Sequence, residues 1–137
     1  MDQAIEKLLE AADTFTITTI GSDGFPHAIA VSKPIERHGG FHRFKFYLNG
    51  EGQTVENIRH NRQGTLFCYD AAAHESLALK GYFFVEELDE YGKLAAQLNE
   101  FQQQLNYQHP VLVVFQTLKV KHFHELQTEF TEIEAID

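Results

Sequence analysis

The stretch Phe46-Tyr47-Leu48-Asn49 runs into Gly50-Glu51-Gly52-Gln53-Thr54, and that loop opens onto Val55-Glu56-Asn57-Ile58-Arg59-His60-Asn61. An aromatic strand, a glycine-spaced loop and an amphipathic helix in this order suit an anion. Backbone N–H groups of the loop and first helical turn point outward where the helix macrodipole is positive. The same glycines also suit a tight strand-to-helix turn that meets no ligand. From these residues alone both readings stay open.

A second candidate surface lies upstream. In His27-Ala28-Ile29-Ala30-Val31-Ser32-Lys33-Pro34-Ile35, a strand period puts Ile29 and Val31 on one face and Ala28, Ala30 and Ser32 on the other. The first face fills a core, and the second leaves a shallow surface. Tyr47 and Asn49 would border that surface with an aromatic body and hydrogen-bonding atoms, which suits a flat aromatic ligand with polar edges. The alternative is that the small residues pack beneath the first helix. His27 and His60 are candidate polar contacts at the groove. His122 and His124 stand two apart and share a face if the chain is extended, so they can supply two ligands to a metal or contacts to haem. No third ligand stands at a telling spacing, and exposed histidines on a terminal strand are the simpler expectation. Cys68 reads as a small core residue. No side chain is an obvious catalytic acid or base.

These residues need elements to hold them. Ile5, Leu8, Leu9 and Ala12 follow Asp2, a candidate N-cap, at helical spacing and predict a short helix over 3–12. Thr14 onward is β-branched and aromatic, and Ser22-Asp23-Gly24 before Phe25-Pro26 predicts a hairpin turn into the Ala28 strand. A loop over Glu36 to Gly40 leads to a strand with Phe44, Phe46 and Leu48 on one side and Arg43, Lys45, Tyr47 and Asn49 on the other. A helix over 54–61 buries Val55 and Ile58. Two strands follow, GTLFCYD and SLALKGYFFVEEL, the second interrupted at Gly81. Residues 89–105 return to helical period, with Tyr91, Leu94, Leu98, Phe101 and Leu105 on one stripe. From Pro110, VLVVF reads as a strand covered on both faces, which LKVKHFHEL continues or re-pairs. The sum is a mostly β, α+β chain: a split antiparallel barrel of about six strands with flanking helices, forming one domain over residues 1–137.

Composition narrows the functions. With 43% hydrophobic residues and 12 Phe, 137 residues can build one sizeable core. A net charge of −9, from 20 acidic against 11 basic residues, argues against nucleic acid and anionic membrane as partners. One cysteine excludes an intrachain disulfide and suits a reducing compartment. The opening MDQAIEKLLEAAD is acidic and amphipathic, unlike a basic flank before an apolar stretch, and no apolar run reaches membrane-spanning length. A cytoplasmic location is expected.

In register over Ile5 to Leu88, the sequence resembles the flavin-binding split barrels related to pyridoxamine 5′-phosphate oxidase, in particular the short branch typified by general stress protein 26. The matching pieces are Thr19-Ile20, Asp23-Gly24, Pro26-His27 and Val31; Phe46-Tyr47 and Asn49; Ile58 and Asn61; Leu66-Phe67 and Tyr69-Asp70; and Leu77, Leu79 and Gly81. The resemblance implies a homodimer with flavin mononucleotide (FMN) in a groove between subunits. Cofactor contacts would then come from Ala28, Ala30, Ser32 and Lys33 on the second strand, and from Tyr47, Leu48 and Asn49 on the third. Gly52, Gln53 and Thr54 would meet the phosphate, and Ser76 would contribute from a later strand.

The family's Ser-x-Lys element in the phosphate loop is replaced here by Gly52-Gln53-Thr54, and the arginine common on the second strand has no counterpart. Charge-assisted hydrogen bonds contribute roughly 1.5–3 kcal/mol each, so losing both cations lowers phosphate affinity by orders of magnitude. Lys33, Arg43, Lys45, Arg59 and Arg62 are the candidate replacements. The resemblance implies a flavin-dependent oxidoreductase passing electrons from a nicotinamide donor. The alternatives are a non-enzymatic dimeric binding module with a degenerate flavin site and, third, haem or metal handling by the histidines.

Overall fold

The computed structural model describes residues 2–88, 98–105 and 107–133. Along the chain these form α1 (Asp2–Ala11), β1 (Thr14–Ile20), β2 (Pro26–Ser32), β3 (Glu36–His38), β4 (Arg43–Asn49), α2 (Gln53–His60), β5 (Gln63–Asp70), β6 (Glu75–Glu87), α3 (Glu100–Leu105), β7 (Pro110–His124) and β8 (Gln127–Glu132). The strands make one antiparallel sheet in the order β2-β1-β5-β6-β7-β4-β3, with β8 added to β7. Among the described residues β2 and β3 are its two ends, so the sheet curls without closing.

The curl follows from side-chain period and from one glycine. The inward residues of β1, β4, β5, β6 and β7 alternate with outward ones, and Phe15, Phe44, Phe46, Phe83 and Phe115 are fully buried among Ile17, Leu66, Leu77, Leu79 and Val113. The Phe83 and Phe115 rings lie 4.7 Å apart. Between Lys80 and Gly81 the register of β6 against β7 shifts, with Leu118 the extra residue of a bulge on β7. A Cβ at Gly81 would stand 2.0 Å from the carbonyl oxygen of Gln116, so only glycine fits this bend. Near the bulge, Thr117 Oγ1 donates to the carbonyl of Phe41 at 2.7 Å and anchors the chain entering β4. Helix α1 buries Ile5, Leu8 and Leu9 and caps the core against β5 and β6.

Among the described residues the sheet has eight strands where about six were expected. Strand β3 occupies the segment predicted as a loop, because Glu36-Arg37-His38 carries no apolar alternation to announce it; pairing with β4 is what makes it a strand. Strand β8, mostly exposed, forms by the same route. LKVKHFHEL continues β7, which also pairs with β6 and β4. The covered character of its first residues holds: Val111 and Val113 face the core, and Leu112 faces a second cluster with Tyr47 and Leu98.

Most of the helix expected over 89–105, including Tyr91 and Leu94, lies outside the described residues. The described part starts later, at Glu100. Asn99 Oδ1 accepts from the Gln102 N–H at 2.7 Å and Gln102 Oε1 accepts from the Asn99 N–H at 3.0 Å, a reciprocal cap. That cap phases α3 so that Gln102 is buried and Phe101 is 60% exposed, which corrects the expected stripe.

Candidate functional site

The face read as small residues is where the period placed it. Ile29 and Val31 pack against the core, while Ala28 and Ala30 are exposed on the outer surface of β2. Strand pairing extends that surface across the sheet. Ala30 stands opposite Thr16, Thr16 opposite Phe67, and Phe67 opposite Ala78; in the next row Ala28, Thr18, Thr65 and Lys80 are aligned the same way. Ser32 faces Thr14 at one end of β1, and Tyr69 faces Ser76 across β5 and β6. The outward rings of Phe67 and Tyr69 lie 6.1 Å apart, and Tyr69 is 58% exposed. Neither ring belongs to the site expected from the sequence. Their signal was the alternation within LFCYD, which turns Leu66 and Cys68 inward and leaves the two aromatics outside.

At one end of this face the β1–β2 hairpin meets the start of α2 in a polar cleft of about 360 Å³. It is lined by Gly21, Ser22, Asp23, Phe25, Pro26, His27, Gln53 and Asn57. His27 and Gln53, expected at one groove from separate segments, are brought together here. Gly52 is the N-cap of helix α2 and no side chain caps it, so the N–H groups of the first helical turn lack a side-chain acceptor. Gln53 Nε2 donates to Asn57 Oδ1 at 2.7 Å, and Asn57 Nδ2 donates to Thr19 Oγ1 at 3.1 Å. Thr19 and Asn57 are both buried, so this chain fixes α2 to β1 at the cleft wall. Asn57 was not foreseen, because a buried amide has no apolar period to reveal it.

The other expected contacts divide. Asn49 Oδ1 accepts from the Glu51 N–H at 3.0 Å and shapes the loop. A Cβ at Gly50 would meet the His109 carbonyl oxygen at 2.5 Å, so this glycine serves close packing against the start of β7. Leu48 lies in the main core. Tyr47 is buried in the second cluster, its ring 5.5 Å from that of Tyr107, and does not border the Ala28–Ala30 surface. Thr54 is only 6% exposed, which withdraws its side chain from the loop surface. Both corrections have one cause. Alternation distinguishes two faces of a strand or helix, but it cannot tell whether another segment covers the second face.

The candidate cations are held elsewhere. Lys33 Nζ donates to the Glu10 carbonyl and lies 4.0 Å from Asp13. Lys45 sits between Glu36 and Glu86, at 3.9 and 3.5 Å. Arg59 pairs with Glu87 at 3.0 Å, and the Arg62 guanidinium lies 5.2 Å from the centre of the Phe84 ring. Arg43 lies on β4 beside His42 and Gly39. Among the described residues no lysine or arginine lines the cleft, and Asp23 does, with its Oδ1 accepting from the Phe25 N–H at 3.0 Å.

The histidine pair departs from the simple expectation. His122 is 0% exposed, and neither ring nitrogen has a hydrogen-bond partner among the described residues. Each such buried polar atom costs about 1–3 kcal/mol. Burial pushes its pKa below the usual imidazole range, as does His124, against the opposing fields of Glu75 and Glu129. The His124 ring stacks on it at 4.2 Å, and His124 Nε2 lies 3.1 Å from Glu129 Oε1. Cys68 is buried as expected, and burial pushes its thiol up to about 12.

An open, curled antiparallel barrel with a helix over its core and another at the turn between two strands is the split-barrel fold of the general-stress-protein-26-like and pyridoxamine 5′-phosphate oxidase-related proteins. A protein related to general stress protein 26 (pyridoxinephosphate oxidase family) from Clostridium acetobutylicum superposes with a TM-score of 0.78 at 16% identity, over 97% of this chain and 96% of that one. A pyridoxamine 5′-phosphate oxidase-related, FMN-binding protein from Nostoc punctiforme gives 0.70 at 10% identity, over 98% and 94%. A haem-binding protein from Mycobacterium smegmatis gives 0.73 at 15% identity, over 96% of this chain and 57% of that one. At these identities the likeness is one of fold. No protein-family model and no curated protein sequence matches the chain. No helix among the described residues is long and apolar enough to cross a membrane.

Proposed function

We propose that the chain is a homodimeric FMN-binding protein. The flavin ring lies on the outer face of β2, β1 and β5, and the phosphate lies in the cleft between the β1–β2 hairpin and α2. One observation carries the reading: Ala28 and Ala30 form a small-residue platform in register with Thr16 and Phe67, and it ends at a polar cleft beside an uncapped helix N-terminus. That is the shape and polarity a flat ring with an anionic tail requires. An FMN-binding protein of the same fold supports it.

In this reading Ala28, Ala30, Ser32 and Ser76 border the ring. Gln53, His27 and the first-turn N–H groups meet the phosphate. Asn49 and Gly52 shape the loop, Tyr47, Leu48 and Thr54 support it from beneath, and Lys33 stands at the far end of β2. The exposed Phe67 and Tyr69 give the same face to a second subunit, which encloses the ring. Bound flavin supplies hydride and single-electron chemistry, for which the chain provides orientation and polarity. An oxidoreductase fed by a nicotinamide donor is the fuller form of the proposal, and bleaching of the bound flavin by such a donor checks it. The second reading, a binding module without turnover, is favoured by the absence of lysine and arginine from the cleft lining among the described residues.

The test is Ala30→Phe, which sets a ring on the platform while leaving the inward Ile29 and Val31 in place. FMN binding, read by quenching of flavin fluorescence, should fall by at least about tenfold while cooperative unfolding is retained. Undiminished FMN binding by this folded variant would remove the ring from the platform. Sedimentation equilibrium should give a dimer; a folded monomer at micromolar concentration would contradict the subunit arrangement.

A further inference from the structure

At the far end of β7, away from the cleft, we propose that His122, His124 and Glu129 form a binding site for one divalent transition-metal ion, with zinc the best match to the donor set. This site is independent of the flavin reading. His122 and His124 stand at positions i and i+2 of β7 and so share a face, with parallel rings. A tight turn through Glu125 and Leu126, both at positive φ, brings β8 back so that Glu129 stands directly opposite His122. Hence the third ligand, invisible in the spacing of the histidines, comes from a neighbouring strand. One ligand atom from each residue lies within 4.8 Å of the others.

Independent of this clustering, His122 is wholly buried with both ring nitrogens lacking partners among the described residues, which is the state a bound cation relieves. The short His124–Glu129 contact would then be exchanged for two bonds to the ion. Zinc–ligand distances of about 2.0–2.1 Å require the donor atoms to draw together to roughly 3.4 Å, and Glu129, 44% exposed, has room to swing inward. Entry is from that side. Two imidazoles and a carboxylate suit zinc better than the all-oxygen sets that calcium and magnesium prefer. Three protein donors leave one position of a tetrahedral ion for water or a further ligand.

The experiment is titration of the chelator-treated, untagged full chain with Zn²⁺ by calorimetry, and with Co²⁺ as a visible-absorbing substitute. The expected result is one ion per chain, with Co²⁺ d–d bands of four- or five-coordinate intensity. His124→Ala and Glu129→Gln, both at the partly open side, should each weaken Zn²⁺ by a factor of about ten to a hundred or more, at least the range that outer-shell substitutions cause. His38→Ala, at the exposed His38–Glu36 pair, should not change it. His122→Phe keeps the buried ring and should abolish the Co²⁺ bands; because that variant can misfold, the two partly exposed variants carry the decision. Absence of stoichiometric binding, or equal affinity in wild type, His124→Ala and Glu129→Gln, would overturn the site.

Discussion

Replacing Thr19 by Val removes the hydroxyl that accepts from Asn57 Nδ2 while keeping nearly the same volume, and so leaves a buried amide N–H without its acceptor. The expected loss of stability is about 1–3 kcal/mol, measured by denaturant unfolding. Thr18→Val, one residue away on the outer face, should change it by less than about 0.5 kcal/mol. Equal effects at the two positions would show that the Thr19–Asn57 bond does not hold α2 to the sheet. At this scale the readable residues were those whose role follows from period. Ala28 and Ala30 lie outside, Ile29 and Val31 inside, and Cys68 in the core. Asn57 and Glu129 were not readable, since each acts through a partner 38 positions away or across a strand pair. Local pattern does not encode such partners.

Helix α1 and strand β3 are joined by a forked ion pair, Arg37 to both carboxylate oxygens of Glu6 at 2.7 and 3.0 Å. The Arg37 guanidinium holds the Glu6 carboxyl below its ordinary value of 4.5. Because the folded-state value is the lower one, the pair's stabilisation is fully present above that ordinary value and is lost as pH falls through the depressed one. Glu6→Gln should therefore destabilise at neutral pH by no more than about 1 kcal/mol, since the Glu6 side chain is 44% exposed and screened by solvent. The deficit against wild type should shrink toward zero in acid. Thermal unfolding of both proteins from neutral pH to pH 3 reads this, and a deficit that does not vary with pH would exclude the charge as its cause. Elements with an apolar period, such as α1, β1, β4 and α2, were legible. Strand β3, with a polar three-residue sequence, exists because β4 offers it a partner. Gly81 was legible as an interruption, but not as the bend that curls the sheet, because the carbonyl of Gln116 that excludes a side chain there lies on β7.

As a whole, the molecule places its core inside a curled sheet and its small-residue platform outside, so building the barrel and presenting the proposed ligand surface are two faces of the same strand alternation. The net charge of −9 and the engagement of Lys33, Lys45 and Arg59 by carboxylates go with a cleft that no lysine or arginine among the described residues lines. FMN is therefore expected to bind weakly, through amides, the helix dipole and His27. Thr54 is buried, so a lysine there would itself be buried; Gln53, exposed at the cleft, is the position to charge. The most direct measurement is a paired equilibrium titration of wild type and Gln53→Lys with FMN and with riboflavin, which lacks the phosphate. FMN should bind wild type weakly and gain about 1–3 kcal/mol in the variant, a factor of roughly ten to a hundred, while riboflavin gains almost nothing. Equal gains for both ligands, no gain for either, or no binding of FMN by wild type would contradict a phosphate in this cleft.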